Sequence, residues 1–130
     1  MATVDPQFKV TRILRQRLIE DAELSALIAD RVFPIVAPID TEGDFIIYRR
    51  DTYKKERTQM GVSSQQVGVF ITVISDNYDR SVDMIFLVHN ILEGEYNGLT
   101  VELEDAYEDF EIKEETSTGK FKQEILFTIN

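Results

Sequence analysis

Few residues of this chain belong to the types that carry chemistry. The only histidine, His89, lies among apolar residues at helical spacing, so we interpret it as a packed or interfacial side chain rather than a catalytic base. The chain has no cysteine, which excludes thiolate metal sites and cysteine nucleophiles. The six glycines are scattered and form no phosphate-binding motif. We therefore predict no catalytic residue and no cofactor site, and we expect that the protein is not an enzyme.

The densest group of possible metal ligands is acidic. Glu104, Asp105, Glu108 and Asp109 follow one another closely, but the Asp-x-Asp-x-Asp-Gly spacing of a calcium loop is missing. Because side chains alternate between the two faces of a strand, these carboxylates would not converge on one ion. We predict no metal site and interpret the group as a solvated or partner-facing acidic edge.

Charge is distributed unevenly along this chain, whose formal net charge is −10. Residues 49–57 are mainly basic and residues 102–115 mainly acidic. The net charge disfavours sequence-independent binding to nucleic acid, which gains affinity by neutralising phosphates. We favour a protein partner for the basic segment; a solvated loop, or single-stranded nucleic acid stacked on Tyr48 and Tyr53, is the alternative. The charged candidates for a subunit or partner interface are Arg49, Arg50, Lys54, Lys55, Arg57, Glu102, Glu104, Asp105, Glu108 and Asp109.

Length and composition favour one domain. The 130 residues are 43% hydrophobic, which is enough to form a core without disulfides or metal. No apolar run reaches the roughly 20 residues of a membrane helix, and residues 1–5 lack the pattern of a secretion signal. We expect a single domain over residues 1–130 in a cytoplasm-like setting, without a membrane partner.

The first half of the chain predicts a broken helix, a short strand and a loop. Apolar residues from 10 to 18 repeat with the spacing of one helical face, and Asp21 is a suitable cap for a second, shorter helix that ends by Arg31. Residues 45–49 are β-formers. Residues 51–65 are polar and charged without apolar periodicity, which predicts a mobile charged loop.

The second half predicts a central strand and a strongly apolar helix. Residues 67–74 are apolar on both faces, which is typical of a central strand or of one whose second face meets a partner. Residues 78–93 predict a helix that Gly94 ends. Its apolar residues form two stripes, more than one sheet needs to cover. We therefore add Met84, Val88 and Ile91 to the interface candidates.

Two further strands, within 99–104 and 121–129, alternate between apolar and polar residues and predict a closing hairpin. The predicted order is α-β-β-α-β-β. The fold class is α+β, with a mostly antiparallel four-stranded sheet and two main helices, the first one broken, packed on one face.

Three segments of this pattern resemble a known family. They are the helix and Asp-Arg-Val-Phe-Pro turn of residues 24–34, the strand of residues 45–48, and residues 69–75 with Tyr78 leading into the apolar helix. In this respect the chain resembles the tail-completion and tail-terminator proteins of long-tailed bacteriophages, which lie at the head–tail junction. In that family a proline often precedes the strand, whereas here Gly43 and Asp44 stand in its place.

The resemblance implies a virion structural protein without catalytic residues. It implies assembly as a ring, a hexamer, on the end of the tail tube, with the tube protein and a head-completion or connector protein as partners. The protein would be located in the virion and, during assembly, in the cytoplasm of the bacterial host. The alternative is a small cytoplasmic adaptor or regulatory module that binds proteins and has no catalytic activity.

Overall fold

The computed structural model describes residues 10–38, 41, 43–58, 61–113 and 118–130; for 52–58, 61–65, 111–113, 118 and 119 it describes the backbone without the side chains. Within these residues the chain forms helices on one side and a single sheet on the other. The helices are α1 (Val10–Glu20), α2 (Ala22–Ile28) and α3 (Tyr78–Leu92), and the strands are β1 (Val32–Pro34), β2 (Phe45–Thr58), β3 (Gly61–Ser75), β4 (Gly94–Tyr96), β5 (Leu99–Lys113) and β6 (Thr118–Ile129).

The sheet has six strands in the order β1-β2-β3-β6-β5-β4. The α+β class is confirmed, and the four predicted strands form its centre as antiparallel neighbours. The predicted strand number and order are wrong in detail because β1 and β4 were missed. Each has only three residues, too few to show an alternating pattern. β1 lies parallel to β2, and β4 lies antiparallel to β5.

One hydrophobic core joins the helices to one face of the sheet. Alternate residues of β3 (Val67, Val69, Ile71 and Val73) are fully buried, as are Leu14 and Leu18 of α1. Asp21 caps α2 as predicted, since its carboxylate accepts a hydrogen bond from the Leu24 N–H at 3.0 Å. The alternate residues of β3 and the apolar residues of α1 at helical spacing therefore pack in the same core.

Arg31 holds the connection between α2 and β2. Its guanidinium donates to the carbonyl of Asp44 at 2.8 Å and to that of Leu27, at the end of α2, at 3.3 Å. Its own carbonyl accepts from the Ile46 N–H at 2.9 Å. A β-carbon at Gly43, which has a φ of +80°, would lie 3.0 Å from the Arg31 guanidinium. The Asp-Arg-Val-Phe-Pro segment thus places β1 beside β2.

Residues 51–65, for which we predicted a mobile loop, are mostly strand, so that prediction is wrong. The β2–β3 ladder runs to the pair Thr58↔Gly61, with bulges on the way. The absence of apolar periodicity led to the wrong prediction, because both strands are polar here. They are strands because their backbone groups hydrogen-bond to each other, which needs no apolar face.

The two long hairpins of the sheet point in opposite directions. β6 pairs with β3 along residues 67–75. At one end of this paired region, β3 residues 61–66 pair only with β2, so β2 and β3 continue there as a two-stranded ladder. At the other end, β6 residues 118–120 pair only with β5, and that ladder continues to Lys113↔Thr118. The basic and acidic segments of the sequence therefore lie on different hairpins, which extend from opposite ends of the sheet.

Candidate protein interface

The basic residues lie along one edge of the sheet. β1 pairs with β2 only from Ile46 to Tyr48, and the Ile35 N–H adds one bond to the Tyr48 carbonyl at 2.8 Å. Beyond Tyr48, no strand in the described part of the chain lies on that side of β2. We call β2 residues 49–58 the basic edge. It carries all five basic interface candidates.

Arg49, the first residue of the basic edge, packs on an aromatic ring. The Arg49 guanidinium lies over the ring of Phe70 on β3, 4.3 Å from its centroid. It also lies 3.7 Å from the Asp51 carboxylate, and both side chains are exposed, so this ion pair adds little stability. Arg50 is exposed. Lys54, Lys55 and Arg57 have described backbone positions opposite Gln66, Gln65 and Val62.

The acidic residues lie along the other edge. β4 pairs with β5 only from Leu99 to Val101, and within the described residues no strand lies beside the rest of β5. We call β5 residues 102–113 the acidic edge. Every residue from Glu102 to Phe110 is exposed. All five acidic interface candidates therefore lie on this one edge.

A β-bulge changes how the carboxylates are distributed. The register shifts between Leu103 and Asp105, and Glu104 accepts a hydrogen bond from the Thr128 hydroxyl. Thr128 lies on the sheet face opposite the helices, and so does Leu126, which pairs with Asp105. Consecutive carboxylates thus lie on one face, and the expected strict alternation is wrong here. The acidic charge is more concentrated than the alternation predicted.

An aromatic cluster fixes the acidic edge to α3. The ring of Phe121 on β6 meets Tyr78 edge-on at 5.5 Å and Phe110 at 4.7 Å between centroids. The Tyr78 hydroxyl donates to the Glu108 carboxylate at 3.1 Å. This hydrogen bond and the negative charge of Glu108 raise the pKa of Tyr78. No sequence pattern predicts this cluster, because its members are far apart in the chain.

Apolar side chains are exposed beside both charged edges. Ile35 and Val36, which follow β1 next to the basic edge, are 72% and 70% exposed. On the acidic edge Leu103, Tyr107 and Phe110 are 39%, 50% and 44% exposed. Exposed apolar side chains next to complementary charge are typical of a protein interface, with an apolar part and a polar rim.

The turn that carries Ile35 is conformationally strained. Ile35 has a φ of +66°, which is a genuine outlier for a β-branched residue. The Val36 N–H donates to the Pro34 carbonyl at 2.6 Å, which closes the rare form of γ-turn. A surface cleft of about 410 Å³ lies beside this turn, lined by Thr11, Pro34, Ile35, Tyr48, Arg49 and Arg50. Backbone strain of this kind is concentrated at functional sites.

The interface candidates on α3 need correction. Met84 and Val88 are fully buried, because they face the sheet and pack in the protein's own core; they are not exposed for a partner. Ile91 is half-buried and packs against the same core. Besides Tyr78 at its start, the exposed apolar residues of this helix are Val82, at 38%, and Phe86, at 63%. The sequence had indicated surplus apolar surface on α3 but could not tell which stripe faced the sheet.

Two further polar side chains, Arg80 and His89, have structural partners. The Arg80 guanidinium donates from Nε and Nη2 to the buried Asp44 carboxylate, and from Nη2 to the exposed Asp76 carboxylate. Hydrogen bonding to Asp44 raises the pKa of Arg80. His89 pairs with Glu93, the residue that caps the C-terminus of α3. Within the described residues no group of three or more His, Asp or Glu side chains could hold a metal ion. Of the described helices, none has the length and apolar character to cross a membrane.

Comparison with known proteins gives a structural match but no sequence match. No protein-family model matches the chain, and no curated protein sequence is significantly similar to it. Among solved structures it is similar to a chain of the virion of the native gene transfer agent (GTA) particle, with a TM-score of 0.68 and 18% sequence identity over 89% of this chain and 90% of that chain. At this identity the match shows that the two chains share a fold.

Proposed function

We propose that this chain is a structural protein of a phage-like virion, a tail terminator or tail-completion protein that assembles as a hexameric ring on the tail end and joins the tail to the head. The observation that carries the proposal is the shared fold, which spans nearly the whole of both this chain and a chain of a GTA virion. A fold alone does not fix function. The resemblance of residues 24–34, 45–48 and 69–75 to tail terminators points to the same part of such a particle.

The surface of the chain supports self-assembly into a closed ring. The basic and acidic edges lie on opposite sides of the sheet, so one copy cannot bring them together by itself. A head-to-tail contact between copies places different patches against each other at every interface, and it closes into a ring when the rotation permits. The partners are then further copies of this chain, the tail tube protein on one side and a head-completion or connector protein on the other. The assembled protein resides in the virion, after assembly in the bacterial cytoplasm.

The ring and its docking on a tube can be tested with the purified full-length chain. Its mass is measured by light scattering across concentration and salt, and any large species is imaged by negative-stain electron microscopy. We expect a species of about six subunits that salt loosens, because charges at an interface are screened within about 10 Å at 0.1 M ionic strength. Purified tail tubes are then added, and we expect density at one end of each tube.

Two outcomes would contradict the proposal. A chain that stays monomeric under all conditions and does not bind tubes is not a tail terminator, and the adaptor module then becomes the better hypothesis. Particles made without the chain provide the second measurement. If their tails have normal lengths and are joined to heads, the chain has no role in termination or joining.

A further inference from the structure

We propose that the ring is formed by strand pairing: the basic edge of one copy adds as an antiparallel strand to the acidic edge of the next, so that the sheet continues from subunit to subunit. This inference rests on the proposed self-assembly and states how the copies meet. It assigns the interface to the backbone of β2 and β5, with the charged side chains selecting the partner strand.

Both edges present backbone groups that the described sheet does not use. β1 covers β2 only at residues 46–48, and β4 covers β5 only at residues 99–101. Each long strand therefore continues well beyond its short neighbour. Natural proteins usually block, bend or cover exposed edge strands, because these pair readily with other chains. Both edges also carry charge and β-bulges, which disfavour pairing with a strand of the same charge. A strand of opposite charge is the partner that such an edge still admits.

The charges permit only one kind of pairing. Residues 49–58 carry five basic side chains against Asp51 and Glu56, and residues 102–113 carry six carboxylates against Lys113. Like charges placed directly opposite on paired strands are destabilising, and opposite charges are stabilising. Pairing of two basic edges or of two acidic edges is therefore disfavoured. The remaining combination, basic to acidic, is head-to-tail and leaves a basic and an acidic edge to continue the ring.

Strand direction agrees with this pairing. β2, β3, β6 and β5 are antiparallel at each step, so β2 and β5 run in opposite directions. When a neighbouring copy is brought alongside without being inverted, its β2 is antiparallel to β5 of the first copy.

The short strands β1 and β4 set the offset between copies. Through the register of the sheet, Arg49 lies in the same row as Asp105. From this row the basic edge extends towards one end of the sheet and most of the acidic edge towards the other. Full overlap requires each copy to be displaced along the strands relative to its neighbour, which also keeps β1 and β4 clear of the neighbour. In a closed ring such a displacement means that the strands are inclined to the ring axis, as in β-barrels.

Apolar surface adjoins the proposed ladder on both sides. The strained turn at Ile35 and Val36 lies at the start of the basic edge, and Leu103, Tyr107 and Phe110 are exposed on the acidic edge. Burial of these side chains would add hydrophobic stabilisation of about 25 cal/mol per Å² of apolar surface. The charges would then set register and partner choice, which is their usual contribution at interfaces.

Charge exchange between two variants tests the partner strand. The basic variant is Lys54→Glu with Lys55→Glu, and the acidic variant is Asp105→Lys with Asp109→Lys. Each alone should associate at least ~10-fold more weakly than the unaltered chain. An equimolar mixture should regain association, because reversed edges match each other and unreversed edges match each other. The control, Glu23→Lys with Asp30→Lys, changes exposed charges away from both edges and should associate normally.

Disulfide trapping tests the strand pairing itself. The chain has no cysteine, so single cysteines can be introduced on β2 (Lys54→Cys, Glu56→Cys) and on β5 (Tyr107→Cys, Asp109→Cys). By the register of the sheet all four positions belong to the face opposite the helices, so a β2 cysteine and a β5 cysteine lie on the same side of a continued sheet. A disulfide needs Cα atoms within about 7 Å, a separation that neighbouring strands at about 4.8 Å satisfy and stacked sheets at about 10 Å do not. We expect rapid disulfides in mixtures of a β2 and a β5 variant, and slow ones when two β2 variants are mixed.

The outcomes separate this inference from the proposed function. If the chain forms rings or binds tube ends, but neither charge reversal weakens association and no β2–β5 disulfide forms, strand pairing is wrong while the proposed function remains. If the charge variants rescue each other but the disulfides do not form, the edges meet through side chains only and the strand ladder is overturned. If the unaltered chain neither associates nor binds tubes, the proposed function fails, and strand pairing fails with it.

Discussion

The two long hairpins, β2–β3 and β5–β6, have the same plan and opposite charge. In each, one strand lies inside the sheet and one outside: β3 and β6 pair with each other at the centre, and β2 and β5 lie towards the edges. The inner strands carry buried residues such as Val69 and Phe127, and the outer strands carry the charged segments. The inner strands therefore hold the fold together, while the outer strands can carry charge for a partner because their outward backbone and side chains are little constrained by the core.

The largest expected effect separates an inner from an outer strand of the same hairpin. Phe127 on β6 is fully buried, and Tyr107 on β5 is 50% exposed. Phe127→Ala should lower the free energy of unfolding by about 3–5 kcal/mol, since it leaves a cavity in the core. Tyr107→Ala should change it by no more than about 1 kcal/mol. Urea unfolding of both variants measures the difference, and equal losses would show that the outer strand is part of the core.

The second prediction concerns the residue that precedes β2. The Asp44 side chain is 4% exposed, and the Arg80 side chain, its partner on α3, is 41% exposed. Arg80→Met leaves the Asp44 carboxylate buried without this partner, which costs about 3–5 kcal/mol for a fully buried pair. Because water screens the exposed guanidinium, we expect a smaller loss, about 2 kcal/mol. Arg12→Met, an exposed change on α1, is the control for urea unfolding; a loss as small as the control's would mean that the pair does not anchor β2.

The third prediction compares the two exposed residues of the turn beside the basic edge. Ile35 is in the left-handed region and Val36 is not. The left-handed conformation costs a non-glycine residue about 1–2 kcal/mol in the folded state, and glycine avoids this cost. Glycine also gives the unfolded chain more conformational entropy, which offsets about half of the gain in stability. Ile35→Gly should therefore raise the free energy of unfolding by about 0.5–1 kcal/mol, whereas Val36→Gly should lower it. If both substitutions destabilise equally, the turn is not strained.

The same comparison explains how much of the structure the sequence predicted. The inner strands were predicted because burial imposes alternation, as in residues 67–73 of β3. The outer part of β2 was missed because Lys54, Lys55 and Arg57 are paired through their backbone with β3, and a charged strand has no apolar period. The strand β4 could have been predicted from Asn97 and Gly98, because Asn-Gly favours a two-residue turn between paired strands. Both residues have positive φ and form the turn between β4 and β5.

The candidate interface was predicted in its charges but not in its geometry. The basic and acidic segments are visible in the sequence, whereas their placement on opposite edges depends on β3 pairing with β6, a contact between distant parts of the chain. On α3, both stripes are apolar, so the pattern alone could not show that Met84 and Val88 face the core while Phe86 faces solvent. The exposed Ile35 was missed because only its backbone conformation distinguishes it.

The smallest expected effect is a change in the pKa of Tyr78, whose hydroxyl links the acidic hairpin to α3. The Tyr78 hydroxyl donates to Glu108, and this bond and the carboxylate charge raise the pKa of Tyr78 above the ordinary value of about 10. Because the folded pKa is the higher one, the stabilisation from this contact is fully present below pH ~10 and is lost as the pH rises through the raised pKa. Glu108→Gln removes the charge and should move the pKa of Tyr78 down towards its ordinary value, which NMR titration of the five tyrosines can follow. Glu102→Gln, on the same edge but not hydrogen-bonded to Tyr78, should leave it unchanged. A Tyr78 signal that titrates identically in both variants would mean that the hydrogen bond to Glu108 does not anchor the acidic hairpin to α3.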